Sequence, residues 1–221
     1  MDGIKGFFTS IATVQGIISI VILLLLIAAV VYYAKRKGNK VSLSTKGVVA
    51  IGIGAALYAA LSFISIPIGP NTSFRLAVAI LPIFGAIFGP LVGFLVGFIG
   101  HALNDALAYG SVWWSWVFMS AAIGLFGGFV TFDKKFNPLA GLISKRNYIQ
   151  LYVYSLIGIV AGSVVAYFGD VFLYSESAGK VWLQIILAGA TNLAILFVIA
   201  NPVIIAIAKL RKSNNNLEVS E

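Results

Sequence analysis

Seven long apolar stretches dominate the sequence and restrict it to folds that keep most side chains in nonpolar surroundings. The first covers about residues 13–33, and the others cover roughly 46–66, 76–88, 91–108, 112–132, 149–172 and 181–210. A spanning helix needs about 20 apolar residues. The 221 residues are 60% hydrophobic and only 10% charged, whereas soluble domains carry roughly 25% charged residues. The sequence therefore predicts an all-α membrane protein and excludes a soluble globular domain.

The first stretch is predicted to be retained as a transmembrane helix. A signal peptide has basic residues before its apolar core, but here the basic cluster of residues 35–40 follows it. We therefore expect an extra N-terminal transmembrane helix with a basic linker (1–40), a six-helix membrane domain (41–212) and a polar C-terminal tail (213–221).

Two of the six core helices are irregular. The segment 76–88 is short and contains Pro82, and Gly89-Pro90 separates it from the next helix. Irregular backbone at membrane depth survives only where protein or a water-filled cavity surrounds it. We therefore expect both helices in the interior of the bundle, and we expect Asn201-Pro202 to mark a kink in the last helix.

The lysines and arginines orient the helices, because short cytoplasmic loops carry the excess of positive charge. If every stretch spans, twelve of the fifteen fall on one side: Lys35, Arg36, Lys37, Lys40, Lys46, Lys134, Lys135, Lys145, Arg146, Lys209, Arg211 and Lys212. Only Lys5, Arg75 and Lys180 fall on the other side. The sequence thus predicts a multi-pass protein of the cell membrane, with its N-terminus outside and its C-terminus in the cytoplasm.

Small residues recur at four-residue spacing, which lets helix backbones approach closely in lipid. Three core helices carry such stripes: Gly52, Ala56 and Ala60; Gly89, Gly93 and Gly97; and Gly158 and Gly162. Packing within the bundle is the simplest interpretation of the second and third stripes.

One polar cluster lies within a predicted transmembrane helix, where charged groups are energetically unfavourable. His101, Asn104 and Asp105 share a helix face, since positions i, i+3 and i+4 coincide, and the predicted topology puts them near the outer end of their helix. Three interpretations stay open: hydrogen bonds between helices, the polar wall of a substrate site, or a catalytic dyad or metal site. Zinc takes at least three protein ligands, and the chain has one histidine and no cysteine. We expect no metal and no cofactor.

Further polar and aromatic side chains fall on the same outer side. They come from the turn-rich loop 69–75, from the start of the helix after His101 and from the last helix: Asn71, Thr72 and Arg75; Trp113, Trp114 and Trp116; and Gln184 and Asn192. Tryptophans at a helix start also suit an interfacial aromatic belt, but an aromatic wall with a few converging polar groups is typical of a small-molecule site. These residues and the His101 cluster are our candidate substrate-binding residues. Asp170 is interpreted as interfacial.

The chain has no phosphate-binding motif of the type Gly, four residues, Gly-Lys-Ser/Thr, and it lacks the chain of intramembrane carboxylates typical of a proton-driven pump. A membrane protein that binds a solute without an energy source of its own needs a partner. Two alternatives stay open: an intramembrane enzyme that uses His101 and Asp105 as acid and base, and a self-contained secondary carrier.

Five segments of the core form a recognisable set: GIGAALY (52–58), GPNTS (69–73), FGAIFGP (84–90), GFIGHALND (97–105) and WWSW (113–116). With them, the region from about residue 41 to 212 resembles the substrate-binding S components of energy-coupling factor (ECF) vitamin transporters, specifically the ECF-type riboflavin transporter S components. The extra helix before residue 34 is a departure from the usual six-helix core.

The resemblance implies a six-helix bundle in a bacterial cell membrane that is not an enzyme. Such a protein captures a water-soluble vitamin, here riboflavin or a cobalamin-like molecule, in an outer pocket that the loop after the first core helix closes. It then docks on a membrane T component coupled to two ABC ATPases. Small residues on the first core helix serve for docking in such proteins, and Gly52, Ala56 and Ala60 match them in position.

Overall fold

The computed structural model describes residues 2–36 and 44–218, which form an up-and-down arrangement of helices. Within these residues, five helices are long and apolar enough to cross a membrane, and a bent pair of helices forms a sixth candidate. A shorter apolar helix, Leu76–Phe88, completes the core. The fold class is therefore the all-α membrane bundle that the apolar stretches predict. The predicted linker residues Lys37 and Lys40 lie outside the described residues.

The N-terminal region consists of two helices, α1 (Asp2–Ile11) and α2 (Val14–Arg36). Their axes differ by 74°. The hydroxyl of Thr13 accepts a hydrogen bond from the backbone N–H of Gly16 at 3.0 Å, which satisfies one of the free donors at the start of α2. α2 corresponds to the predicted first transmembrane stretch, whereas α1 precedes that stretch and crosses it at a steep angle.

The core contains five separate helices and one composite helix: α3 (Thr45–Ser62), α4 (Ile80–Phe88), α5 (Pro90–Tyr109), α6 (Trp114–Gly128), α7 (Lys145–Leu173), and α8 (Ala178–Ile195) continued by a π turn (Leu196–Ala200) into α9 (Asn201–Glu218). Short 3₁₀ turns accompany them: Leu76–Ala79, Phe129–Phe132 and Pro138–Ala140. α5 packs between α3 and α6, α6 packs against α7, and α7 packs against α8. The described part of the predicted tail, up to Glu218, continues α9.

A β-hairpin follows the first core helix. That helix was expected to reach residue 66, but it ends at Ser62, and two antiparallel strands follow, β1 (Ser65–Gly69) and β2 (Thr72–Arg75). Pro67 explains the early end, because proline breaks a helix and disfavours helical backbone in the residue before it. Asn71 has a φ of 47° and follows Pro70, and these are residues that type II turns prefer. The turn-rich loop is therefore an ordered hairpin.

α4 and α5 lie in the interior, as the irregular sequence of this region predicts. α5 is the most deeply buried of the membrane-capable helices within the described residues. Pro82 of α4 packs against Gly127 of α6. Gly89 has a φ of 100°, a backbone conformation that glycine adopts without strain. This glycine and Pro90 thus turn the chain sharply between two buried helices.

Four of the five glycines in the second and third small-residue stripes serve packing within the bundle. A Cβ atom on Gly93 of α5 would overlap the carbonyl oxygen of Gly124 in α6. On α7, a Cβ on Gly158 would lie 3.2 Å from the Cα of Ile123, and one on Gly162 would lie 2.8 Å from the Cγ of Met119. The packing interpretation is therefore confirmed for Gly93, Gly97, Gly158 and Gly162, whereas nothing lies within 4 Å of a Cβ placed on Gly89.

The last helix departs from α-helical geometry just before Pro202. The irregularity expected at Asn201-Pro202 takes the form of the π turn, after which the helix continues. Asn201 is fully buried, and its Nδ2 donates to the Oγ of Ser155 in α7 at 3.2 Å. A polar contact therefore joins the inner half of the last helix to α7.

The two ends of the bundle differ in charge. The end with the hairpin, where α3, α5 and α7 terminate, carries three of the described lysines and arginines: Lys5, Arg75 and Lys180. The opposite end carries a much larger set: Lys46, Lys134, Lys135, Lys145, Arg146, Lys209, Arg211 and Lys212. The segregation that the sequence predicts is thus present in the described part of the structure.

Candidate functional site

A cavity of about 520 Å³ lies at the hairpin end of the bundle. The hairpin, the ends of α3 and α5, the first turns of α6 and one face of α8 surround it. Its volume falls within the range of small-molecule sites, about 300–1,000 Å³. The hairpin forms one side of the cavity, and the Nε2 of Gln184 in α8 donates to the carbonyl oxygen of Pro70 at the hairpin turn at 3.0 Å.

Nine of the eleven predicted site residues line this cavity: Asn71, Thr72, Arg75, His101, Asp105, Trp113, Trp116, Gln184 and Asn192. Four different parts of the chain supply them, namely the hairpin, α5, the start of α6 and α8. From the sequence, we could predict only that these residues lie on the same side of the membrane. The structure brings them together around one cavity.

Two predicted residues lie behind the cavity wall. Asn104 is 1% exposed; its Oδ1 accepts from Arg75 at 3.2 Å and its Nδ2 donates to the carbonyl oxygen of Ala59 at 3.4 Å. Trp114 is also buried and packs against Phe98. Trp113 and Trp116 are three residues apart and share a helix face, whereas Trp114 points away from them. The prediction that Asn104 and Trp114 line the wall thus does not match their positions.

The histidine is held on both ring nitrogens. Its Nδ1 lies 2.6 Å from the Oγ of Ser120, and its Nε2 lies 3.4 Å from the Oδ1 of Asp105. The backbone N–H of Trp113 donates to the other carboxylate oxygen of Asp105 at 3.1 Å. Tyr58 extends the chain, with its hydroxyl 3.3 Å from Ser120. These contacts fix the orientation of His101 at the cavity wall and join α3, α5 and α6.

Asp170 was interpreted as interfacial, and that interpretation is wrong. Its side chain is 1% exposed and accepts hydrogen bonds from Trp113 Nε1 and Trp116 Nε1, both at 2.8 Å, and from the hydroxyl of Ser115. One carboxylate from α7 therefore positions both cavity tryptophans. The signal available in the sequence was a lone acid near the end of an apolar helix, which is a functional candidate by default.

Tyr174 supports the same wall from behind. Its ring stacks on that of Trp113, with centroids 4.5 Å apart and an interplanar angle of 14°. Its hydroxyl accepts from the backbone N–H of Trp114 at 3.0 Å. Burial raises the pKa of Tyr174 to about 12, so the phenol stays neutral at physiological pH.

Two polar side chains of the cavity have unused hydrogen-bonding capacity. Arg75 donates from Nη1 to Asn104 and from Nη2 to the hydroxyl of Tyr109 at 3.0 Å, and it forms no ion pair within the described residues. An arginine has five N–H donors, so further donors are available. The Oε1 of Gln184 is buried and has no hydrogen-bond partner among the described residues. The cavity thus offers a cationic donor, and the unpartnered acceptor of Gln184 lies buried beside it.

The predicted docking stripe lies on the opposite face of α3 from the cavity. Gly52, Ala56 and Ala60 are exposed, and nothing lies within 4 Å of a Cβ placed on Gly52. Exposed apolar side chains flank the stripe: Val48, Val49, Ile53, Leu57 and Leu61. The other face of the helix is buried and carries Tyr58 toward the cavity. This geometry leaves the stripe free for a helix of another protein.

A membrane bundle with a polar and aromatic cavity at one end has the architecture of a membrane-embedded solute-binding protein. Residues 42–209 match the family described as ECF-type riboflavin transporter, S component. A UPF0397 protein of Streptococcus agalactiae serotype Ia is 42% identical over 175 residues, which are 78% of this chain and 95% of that relative. No solved structure matches the chain.

The chain belongs to the ECF-type riboflavin transporter S component family. It is accordingly a multi-pass membrane protein and a substrate-binding subunit of an ECF transporter, a class of transport proteins rather than of enzymes. The family match begins after α2, so α1 and α2 lie outside it.

Proposed function

We propose that the chain captures a water-soluble vitamin of the size of riboflavin on the outer side of the cell membrane. It then delivers the vitamin through a T component powered by two ABC ATPases. The observation that carries this proposal is the cavity of about 520 Å³, whose wall contains two tryptophans, Trp113 and Trp116, that are fixed by hydrogen bonds to Asp170. Indole faces stack well on flat aromatic rings, and the isoalloxazine of a flavin is such a ring with N–H and carbonyl groups at its edge.

The cavity volume favours a flavin over a corrinoid. A cavity of about 520 Å³ lies in the middle of the range of sites for drug-sized ligands, about 300–1,000 Å³. A three-ring system with a short polyol chain fits that space, whereas a corrin ring with its nucleotide loop is several times larger. A cobalamin-like cargo would require the hairpin to move away from α8.

The charge distribution supports a cavity that opens to the outside. Most of the described lysines and arginines lie at the end opposite the cavity, and the cytoplasmic side carries the positive excess. In this orientation the N-terminus lies outside, and the C-terminus lies in the cytoplasm near the ATPases. The proposed domain division is the one expected from the sequence, in which α1 and α2 are an addition to a six-helix substrate-binding domain.

The exposed stripe of α3 supports docking on the T component. Small residues let helix backbones approach within van der Waals contact in lipid, and Gly52, Ala56 and Ala60 have no intramolecular role within the described residues that would explain them. Because the stripe and the cavity lie on opposite faces of α3, the same helix can serve both partners.

The proposal is tested with the purified full-length chain and isothermal titration calorimetry. We expect one riboflavin to bind per chain and to lose its fluorescence when it stacks on tryptophan. Trp113→Ala should weaken binding at least tenfold, while Trp182→Ala, which removes an exposed tryptophan of α8, should leave affinity unchanged. No binding of riboflavin would refute the proposed cargo, and tight binding of cobalamin instead would refute the volume argument.

The same preparation distinguishes the two alternatives. A secondary carrier would accumulate riboflavin in proteoliposomes that contain this chain alone, whereas a capture subunit should require the T component, the ATPases and ATP. An enzyme acting through His101 and Asp105 would convert the bound molecule, and mass spectrometry would detect a product. Recovery of unchanged riboflavin from the protein would support the transport function.

A further inference from the structure

α1 lies against the part of the fold that carries the cavity wall. It contacts the C-terminal half of α5 and is connected to α2 through a bend of 74°. Both helices precede the region that matches the family. Their contacts with the rest of the chain are therefore an addition to the six-helix fold, and those contacts are specific.

Two glycines bring the backbone of α1 directly onto the end of α5. A Cβ atom on Gly6 would overlap the backbone carbonyl of Gly110, and one on Gly3 would lie 3.0 Å from the carbonyl oxygen of Ala106. Contacts this close require glycine, since any side chain would push the two backbones apart. The helix thus fits the turn between α5 and α6 closely.

Ser10 joins α1 to both residues that flank Trp113. Its hydroxyl accepts from the backbone N–H of Val112 at 2.9 Å, and its carbonyl oxygen accepts from the Nε1 of Trp114 at 3.3 Å. Ser10 is 6% exposed, so these bonds are shielded from solvent and lipid. Trp113 itself forms part of the cavity wall.

Further contacts extend to the helix that carries Asp170. The Nε2 of Gln15 donates to the carbonyl oxygen of Leu173 at the end of α7 at 2.9 Å. Four apolar side chains of α1 and α2 pack on the buried cluster around Phe98 and Trp114: Phe7, Ile11, Ile20 and Leu23. The N-terminal region therefore holds the ends of α5, α6 and α7, the same three ends that hold the tryptophan wall.

We propose that α1, with α2, is an intramolecular brace that fixes Trp113 and Trp116 in their ligand-binding position. Ser10 acts as a positioning residue through Val112 and Trp114, and it does not touch the cavity. Because the brace holds the wall in place before the ligand arrives, it lowers the ordering cost of binding and slows ligand release. This inference rests on the proposed function of the cavity.

The test uses the full-length chain with Ser10→Ala and Gly6→Ala. Loss of one buried hydrogen bond corresponds to roughly a 3- to 10-fold change, so we expect riboflavin to dissociate roughly 3- to 10-fold faster from Ser10→Ala. Gly6→Ala, which displaces α1 from Gly110, should have at least the same effect. Thr9→Ala is the matched control, since the exposed Thr9 hydroxyl donates to the carbonyl oxygen of Lys5 within α1, and the release rate of this variant should stay unchanged.

A second measurement separates positioning from stability and works without a ligand. Hydrogen exchange in peptides covering residues 110–116 should accelerate in Ser10→Ala while exchange in α3 and α8 stays as in the wild type. If both variants match the wild type in exchange and in release, the brace is refuted. If the wild type binds no riboflavin, the proposed cargo fails, and the exchange result alone decides the brace.

Discussion

Asp170→Asn tests whether one buried carboxylate organises the tryptophan wall. The side chain accepts three hydrogen bonds, from Trp113, Trp116 and Ser115. An asparagine keeps one acceptor oxygen and replaces the other with an NH₂ group, which would face an indole N–H, donor against donor. At least one charge-assisted hydrogen bond is lost, at a cost of about 1.5–3 kcal/mol.

This loss should appear in both ligand binding and stability. A change of 1.4 kcal/mol is a factor of about ten in an equilibrium constant, so riboflavin affinity measured by calorimetry should fall at least tenfold. The emission of the tryptophans should change as well, because the polar partner of two indoles is altered. The thermal unfolding midpoint, followed by circular dichroism in detergent, should decrease.

Asp133→Asn is the control for removal of a carboxylate. Asp133 lies at the opposite end of the bundle, where it accepts from the Nδ2 of Asn147, and its substitution should leave riboflavin affinity unchanged. If Asp170→Asn also retains affinity and unfolding midpoint, the carboxylate does not position the wall. The stacking of Tyr174 on Trp113 would then suffice to hold it.

Three further predictions concern other parts of the molecule. Ala56→Leu should leave riboflavin affinity intact and reduce copurification with the T component at least tenfold. The control Val160→Leu, on the exposed face of α7, should reduce neither property. Equal loss of affinity and copurification in Ala56→Leu would contradict a docking role. Arg75→Gln should weaken riboflavin binding roughly tenfold in calorimetry, because it removes a charged donor from the cavity. Unchanged affinity would show that Arg75 only holds the hairpin against α5 through Asn104 and Tyr109. Asn201→Ala should lower the free energy of unfolding by about 0.5–1.5 kcal/mol, since it removes the buried hydrogen bond to Ser155, which keeps its bond to the carbonyl oxygen of Leu151. Riboflavin affinity should stay unchanged, and a denaturation curve equal to that of the wild type would contradict this.

The spans of the bundle could be predicted because each depends on local sequence alone. An apolar stretch of sufficient length has few alternatives to a spanning helix, and the interior position of α4 and α5 followed from Pro82 and Gly89-Pro90. The hairpin was missed because residues 63–66 are mostly apolar and continue the hydrophobic stretch of α3. Only Pro67 indicates that the helix ends before the hairpin, and a prediction from hydrophobicity alone does not take this proline into account.

The site could be predicted in part. His101 and Asp105 are one helical turn apart, so their proximity could be predicted from the sequence. The tryptophan cluster could also be recognised, because its members lie within residues 113–116. The role of Asp170 was not readable, because its three partners lie 54–57 residues away in the chain and only tertiary packing brings them together. The same holds for Ser10, whose partners are more than 100 residues away.

The π turn in the last helix lets one row of side chains serve the cavity at one end and the core at the other. Gln184, Ala188 and Asn192 line the cavity, and the same four-residue spacing continues through the buried Leu196, Ala200, Ile204 and Ala208. In a regular α-helix, a step of four residues rotates about 40° beyond a full turn, so such a row would wind around the helix and leave the bundle. The wider turn takes up one residue and cancels part of that rotation. Because the turn accommodates one extra residue, deleting a single residue between 196 and 200 should convert it into a regular α-helical turn and leave the outer and inner halves of this row nearly in phase.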